Sequence, residues 1–277
     1  MVESAGSQDR LLAALYGHAL GRFLLKLLTR PCISKAAGWF LSTKASCIFI
    51  KSFIRNHNID ISQYESTQYK SYNDFFCRKI RPELRPVDKN PHHLVSPCDS
   101  KLTVIPIADN THFTLKHTPY TVASLIQNDA LAKEFSGGYA LIFRLTVDDY
   151  HRYGYIDDGT REPFVKIPGV LHTVNPIAND YYPIYKANSR EYAVLHTENF
   201  DDVLMMEVGA LLVGRIVNHP ETQFSRGQEK GYFQFGGSTV VLLIKENVVQ
   251  IDSDILQNSA DGIETVVKYG EKIATCI

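Results

Sequence analysis

The stretch QFGGSTVVLLI, Gln234–Ile244, sets two glycines and a serine directly before a run that reads as a buried strand. A short apolar run bounded by glycine, rich in Val, Leu and Ile, is the pattern of a strand covered on both sides. Gly236 and Gly237 weaken a strand and pack nothing, so they mark backbone in a shape that other residues reach only with strain. Ser238 therefore stands at the mouth of a rigid element with a bare carbonyl just upstream. A β-bulge is the plain explanation for such a pattern taken alone. The rest of the chain decides whether it suffices.

Outward from this strand the same texture holds back to about residue 66. Short runs rich in Val, Ile, Tyr and Phe (KLTVIPI, YALIFRLTV, EYAVLHT, VLMMEVGALLVGRIV) alternate with Gly, Pro, Asn and Asp. This rhythm predicts a β-rich domain over 66–277, with one helix at TVASLIQNDALAKEF, residues 121–135. The fold class expected is α+β. The polar stretch SQYESTQYKSYN, 62–73, is expected to be the linker from what precedes it.

Residues 1–65 read as helical. In LLAALYGHALGRFLLKLLTR, residues 11–30, Leu11, Leu15, Ala19, Phe23 and Leu27 recur every four, and Arg10, His18, Arg22, Lys26 and Arg30 line a separate stripe. AGWFLSTKASCIFIKSFIR, residues 37–55, repeats the mixture of apolar, aromatic and basic residues. The embedded charges and glycines argue against a transmembrane span, and the early acids against a signal peptide. A broad apolar face beside a basic stripe suits a helix lying in a membrane interface, though a helix packed on its own domain has the same pattern. Charge is uneven along the chain: residues 1–60 hold eight Lys/Arg against three acids, +5, which leaves −6 on the remainder for a net of −1. A basic arm on an acidic body points to an anionic surface as partner, and the overall balance argues against a protein that coats nucleic acid. Five scattered cysteines without a C-x-x-C pair form neither a disulfide framework nor a zinc site, so no metal is expected and a reducing cytosol is the simplest setting.

Three further islands hold clustered polar residues. LVSPCDSKL places Asp99 in a turn before a strand; RLTVDDYHRYGYIDDG places His151 after one; FCRKIRPELRPVDK carries Arg78, Lys79, Arg81, Arg85 and Lys89. Singly, these read as a turn aspartate, a structural histidine and a solvated charge run. Together they supply Asp, His and Ser, the elements that activate a hydroxyl. Ser238 is not in the G-x-S-x-G elbow of the α/β-hydrolases, whose nucleophile lies between a strand and a helix, so an ordinary serine hydrolase fits poorly.

From about Tyr72 onward the chain resembles the phosphatidylserine decarboxylases. The resemblance rests on YNDFFCRKIRPELRPVD, LVSPCDSKLT, LTVDDYHRYGYIDDG, VKIPGVLHTVNP, NSREYAVLHT, MEVGALLVGRI and RGQEKGYFQFGGSTVVLL, in the family's order. It implies a self-cleaving enzyme whose serine becomes the cofactor. The Ser238 hydroxyl attacks the Gly237 carbonyl, and the chain breaks between the two. Ser238 is left as a pyruvoyl group at the head of chain 238–277, with chain 1–237 held against it. That group forms a Schiff base with the substrate amine and takes up the charge left by loss of CO2, giving phosphatidylethanolamine.

By the same resemblance, Asp99 orients the histidine, and His151 takes the proton of Ser238. Two departures stand out: many members carry a second histidine where this chain has Gly154, which leaves His151 to serve both maturation and decarboxylation, and Ser100 replaces the usual glycine after Asp99. Arg78 and Arg81 are candidates for the substrate phosphate through charge-assisted bonds. The expected setting is peripheral, on the cytoplasmic face of the cell membrane, with no nucleic acid partner and the oligomeric state left open, a homo-oligomer included. Two other readings stand beside this one: a pyruvoyl decarboxylase of a different amine, and a lipid-binding relative that no longer cleaves itself.

Overall fold

The Ser238–Ile244 strand lies near the middle of the molecule, and all seven of its residues are buried. The computed structural model describes residues 31–108, 110–115, 118–170, 184–210, 215–234 and 238–277. Among them, a nine-stranded antiparallel sheet runs in the order Gln223–Phe224, Gly159–Arg161, Arg190–Thr197, Asp202–Val208, Ser238–Ile244, Tyr139–Leu145, Ser100–Pro106, Thr265–Val267. Val165–Ile167 pairs beside Arg190–Thr197. Side chains alternate across a strand. Val240, Leu242 and Ile244 accordingly join one core layer with Phe143, Leu145 and Met205, and Val241 and Leu243 join the other with Ile142, Leu204 and Met206. A strand covered on both faces has no polar side to show, which is why its sequence is an unbroken apolar run.

A small sheet ordered Ile216–Asn218, Glu229–Phe233, Arg152–Gly154 covers the first face, contributing Tyr153 and Phe233 to the core. Helical turns cover the second. Here the single helix expected over 121–135 is two, Val122–Ile126 and Asp129–Lys133. Gln127 takes the left-handed conformation at φ 54° and ends the first, and the Asn128 side chain accepts from Leu131 N to cap the second.

At the N-terminal end, Pro31–Leu41, Lys44–Phe49 and Ile50–Asn56 are helical. The amphipathic run 11–30 lies outside the described residues. Leu41, Cys47, Ile50 and Phe53 pack on a short helix, Tyr72–Phe76. That helix begins within the polar stretch 62–73. Ser71 caps it, Tyr72 N donates to Ser46 Oγ at 2.9 Å, and Asn73 Nδ2 donates to Ser42 Oγ at 2.8 Å. The helix thereby ties the N-terminal layer to the rest of the chain.

Candidate active site

Register brings the three candidate residues to one end of the large sheet. Ser238 opens its strand opposite Leu145. On the far side of that neighbour, Lys101 pairs with Arg144, so Ser100 stands alongside Leu145 with Asp99 just before it. Past Leu145 the chain turns and reaches His151. The turn is closed by the Asp149 carboxylate, which accepts from Thr146 N at 2.7 Å and Thr146 Oγ1 at 2.8 Å and pairs with Lys101 at 2.8 Å.

His151 is 1 % exposed. Its Nδ1 lies 2.9 Å from the Asp149 carbonyl, and since a carbonyl only accepts, Nδ1 carries the hydrogen. The lone pair is then on Nε2, which is buried and has no hydrogen-bond partner among the described residues. Burial holds the imidazole down to about 3; the Arg78 charge pushes the same way and the Asp149 carbonyl opposes them. The Phe76 ring covers it at 4.1 Å between centroids. The result is a neutral base with its tautomer set. Ser238 is fully buried, and its Oγ likewise has no partner among the described residues. Gly237 lies outside them.

Asp99, 2 % exposed, is bonded elsewhere than to the imidazole. Arg85 donates to it through Nε at 2.8 Å and Nη2 at 2.5 Å, Tyr269 N donates at 2.9 Å, and Lys268 Nζ lies at 3.6 Å. It thus ties Arg85 to the C-terminal segment at the same end of the sheet. The orienting contact on His151 is main-chain, from Asp149, and no residue type announces a carbonyl in a sequence.

Arg78 is buried. Its terminal nitrogens donate to the Phe75 and Asp148 carbonyls at 3.4 and 3.3 Å, and its guanidinium lies over the Tyr64 and Phe75 rings at 4.5 and 4.8 Å. It braces the loop that carries His151. Arg81 is exposed and makes no side-chain hydrogen bond among the described residues.

The place of a second histidine is filled. A Cβ on Gly154 would meet Tyr269 Oη at 2.0 Å and the Gln228 carbonyl at 3.0 Å. Tyr269 is itself anchored, donating to the Gly227 carbonyl at 2.8 Å. Tyr269 thus packs where a side chain at 154 would go, and glycine there is a packing requirement.

Comparison with known proteins bears on this site. The family model of phosphatidylserine decarboxylase matches residues 72–275. The chain belongs to the phosphatidylserine decarboxylase family. It is 50 % identical over 263 residues to phosphatidylserine decarboxylase proenzyme 2 of Clostridium acetobutylicum, covering 95 % of this chain and 90 % of that one. A phosphatidylserine decarboxylase proenzyme of Ruminiclostridium cellulolyticum is 42 % identical over 275 residues, 97 % of this chain and 92 % of the relative. One from Clostridium botulinum is 41 % identical over 274 residues, 96 % and 93 %. The match runs through Asp99, His151 and the Ser238 strand alike.

Proposed function

We propose that this chain is a proenzyme that cleaves itself at Gly237–Ser238 and then decarboxylates phosphatidylserine to phosphatidylethanolamine and CO2. The observation that carries the reading is that one end of the sheet holds both a buried neutral imidazole with its Nε2 unpartnered and a buried serine with its Oγ unpartnered. An unpaired buried polar atom costs stability, and among the described residues Ser100 Oγ and Thr239 Oγ1 are left unpaired at the same end, so the cluster suits a site held ready for chemistry.

In maturation, His151 Nε2 accepts the Ser238 proton while Oγ attacks the Gly237 carbonyl. The acyl group passes from nitrogen to oxygen, and loss of the α-proton expels chain 1–237 as a carboxylate. The dehydroalanine left at 238 takes up water and releases ammonia, leaving the pyruvoyl ketone. Ser238's place fits that product: it is buried at the start of a strand that is paired on both edges, so the group is held in a fixed frame. Once formed, the group supplies the electron sink for decarboxylation. His151, covered by Phe76, is then the group whose Nε2 takes up the proton that the substrate's ammonium gives up on binding and returns it to the substrate carbon. Asp99 holds Arg85, Lys268 and the Tyr269 amide together at this end of the sheet, and its part is to support the site's frame, with the Asp149 carbonyl orienting the imidazole. Arg81, exposed, is the better placed of the two arginines for the substrate phosphate, with Arg78 supporting the histidine loop.

The two products stay together on this reading. The 238–244 strand hydrogen-bonds on both edges to chain 1–237, and Arg144 pairs with Glu264 through two bonds.

The enzyme meets its substrate from the bilayer surface, on the cytoplasmic face. Among the described residues no helix is long and apolar enough to cross a membrane. The outer side of the N-terminal layer instead carries a ledge of Trp39 and Ile48, each 74 % exposed, with Phe40 and Phe49 beside them. Lys44, Lys51 and Arg55 are exposed around it, and no acid occurs between Asp9 and Asp60. Apolar and aromatic side chains ringed by cations suit an anionic bilayer. The inner side of the layer rests on Phe75 and Phe76, so the ledge and His151 are joined by two layers of side chains.

The test is the intact mass of the purified protein under denaturing conditions, followed by lipid analysis after incubation with phosphatidylserine vesicles. Wild type is expected as chain 1–237 and a 40-residue chain 238–277 headed by pyruvoyl, with phosphatidylethanolamine formed. Ser238→Ala stays whole and inactive. A full-length wild type refutes the self-cleavage, and cleavage without phosphatidylethanolamine refutes the substrate.

A further inference from the structure

Ser238 and His151 belong to different sheets, and a polar cluster that neither touches joins those sheets. His151 hangs on the small sheet: Phe233 N donates to its carbonyl at 2.9 Å, and Tyr232 pairs with Arg152 just beyond. On the large sheet, Glu207 lies directly opposite Val240, two residues past Ser238. It therefore shares Ser238's face and is its diagonal neighbour, at about 7–8 Å.

Glu207 is fully buried and receives the small sheet's polar contacts. Lys230 Nζ, also fully buried, donates to Glu207 Oε1 at 2.6 Å. Asn218 Nδ2 donates to Glu207 Oε2 at 3.0 Å, while Asn218 Oδ1 accepts from Lys230 at 3.1 Å and from Tyr153 Oη at 3.1 Å. Each strand of the small sheet thus contributes one residue: Asn218, Lys230 and Tyr153. The Phe164 ring closes over Lys230 Nζ at 4.8 Å.

We propose that the Lys230–Glu207 pair is a positioning device for self-cleavage, fixing the small sheet on the large one and so setting His151 against Ser238. This rests on the self-cleavage reading above. Two apolar faces slide over one another at little cost. A desolvated ion pair offsets its own burial at one geometry only, and therefore holds the sheets in one register. An isosteric apolar pair would keep the layers together without that constraint. Stability and positioning are separable on this ground.

The experiment compares self-cleavage of the full chain in wild type and in the double variant Glu207→Met/Lys230→Met, alongside urea midpoints. The double variant is expected to be at least as stable as wild type, because neither charge is left unpaired. Its cleavage is expected to be slowed tenfold or more, toward the about 10²-fold cost of misplacing reacting groups by an ångström. The pH dependence of its cleavage rate keeps the wild-type shape, since the base is the same. Wild-type cleavage in the stable double variant overturns the proposal. So does loss of a limb of the pH profile, which would make Lys230 or Glu207 a participant in proton transfer. If the double variant fails to fold, Glu207→Gln/Lys230→Met retains an acceptor for Asn218 and takes its place. Failure of both to fold overturns the proposal too, since the pair is then a condition of the fold. A wild type that never cleaves refutes the self-cleavage reading instead, a result visible before any variant is made.

Discussion

The Ser238–Ile244 strand and the 31–56 layer are built from the same residue types and put them to opposite uses. In the strand every side chain is enclosed, by a core layer on each face. In the layer, Leu41, Ile50 and Phe53 turn inward onto Tyr72–Phe76, while Trp39, Phe40, Ile48 and Phe49 face out. Apolar area left in water is a cost unless something covers it, and a contiguous exposed cluster marks a place where something does. Hydrophobic sequence thus states only that burial happens. Whether the covering phase is the protein or a bilayer is decided by what lies on the other side.

The largest effect is expected inside. Leu242→Ala removes a side chain that is fully buried in the central strand, where neighbouring strands on both sides keep the site from collapsing. A loss of about 2–5 kcal/mol is expected, read from urea unfolding. A loss under about 1 kcal/mol would break the contrast, because it would mean that the strand is as loosely held as the ledge.

A second effect sharpens it electrostatically. His151 is held neutral by burial, with its folded pKa lowered to about 3 from an unfolded value of about 6.5. Between those values the unfolded chain binds a proton that the folded chain does not. Stability is therefore fully present above about pH 6.5 and is lost as pH falls toward 3, by an amount on the order of a few kcal/mol. His151→Phe should flatten that part of the pH profile. The same depression predicts that self-cleavage by wild type runs at a nearly constant rate from about pH 5 to 8, since the base is already unprotonated. A cleavage rate that falls tenfold between pH 7 and pH 6 would show that the working base titrates normally, and His151 would not be it.

How much of this was legible in the sequence depended on whether the cause was local. The 238–244 and 139–145 strands could be read because burial on two faces leaves an apolar run whatever the neighbours are, and the 190–197 strand through its buried middle, Tyr192–Leu195. The break at Gln127 could not, since an exposed glutamine in a left-handed conformation leaves no mark beyond the capping residue that follows. His151 and Ser238 stood out by residue type. Their surroundings did not: the tautomer is set by a main-chain carbonyl, and Asp99 is engaged by the amide of Tyr269, 170 residues away. Arg78 read as part of a solvated run or a phosphate site, yet it is enclosed between Tyr64 and Phe75. The aromatic residues around it, in YESTQYKSYNDFF, were the signal that this basic run has a buried side. Gly154 read as a missing histidine and proves to be the space that Tyr269 needs.

The smallest effect on stability should accompany a clear effect on binding, at Ile48. Glutamate there replaces an exposed side chain that makes little contact with the fold, so the urea midpoint should shift by no more than about 0.5 kcal/mol. Transfer to a bilayer is another matter. An isoleucine side chain gains about 1.5–3 kcal/mol on leaving water, and a carboxylate is repelled by anionic lipid, so affinity for phosphatidylserine vesicles should fall by about tenfold or more. The measurement has a reporter in place, because Trp39 is the chain's single tryptophan and lies on the same ledge. Its emission should shift to the blue and be quenched by brominated lipid when wild type meets the vesicles, and much less so in Ile48→Glu at the same lipid concentration. An unshifted wild type would mean that the ledge does not enter the bilayer. A shift already present without lipid and lost on deleting residues 1–30 would mean that the chain covers the ledge itself, and the two regions would then differ only in which part of the protein encloses them.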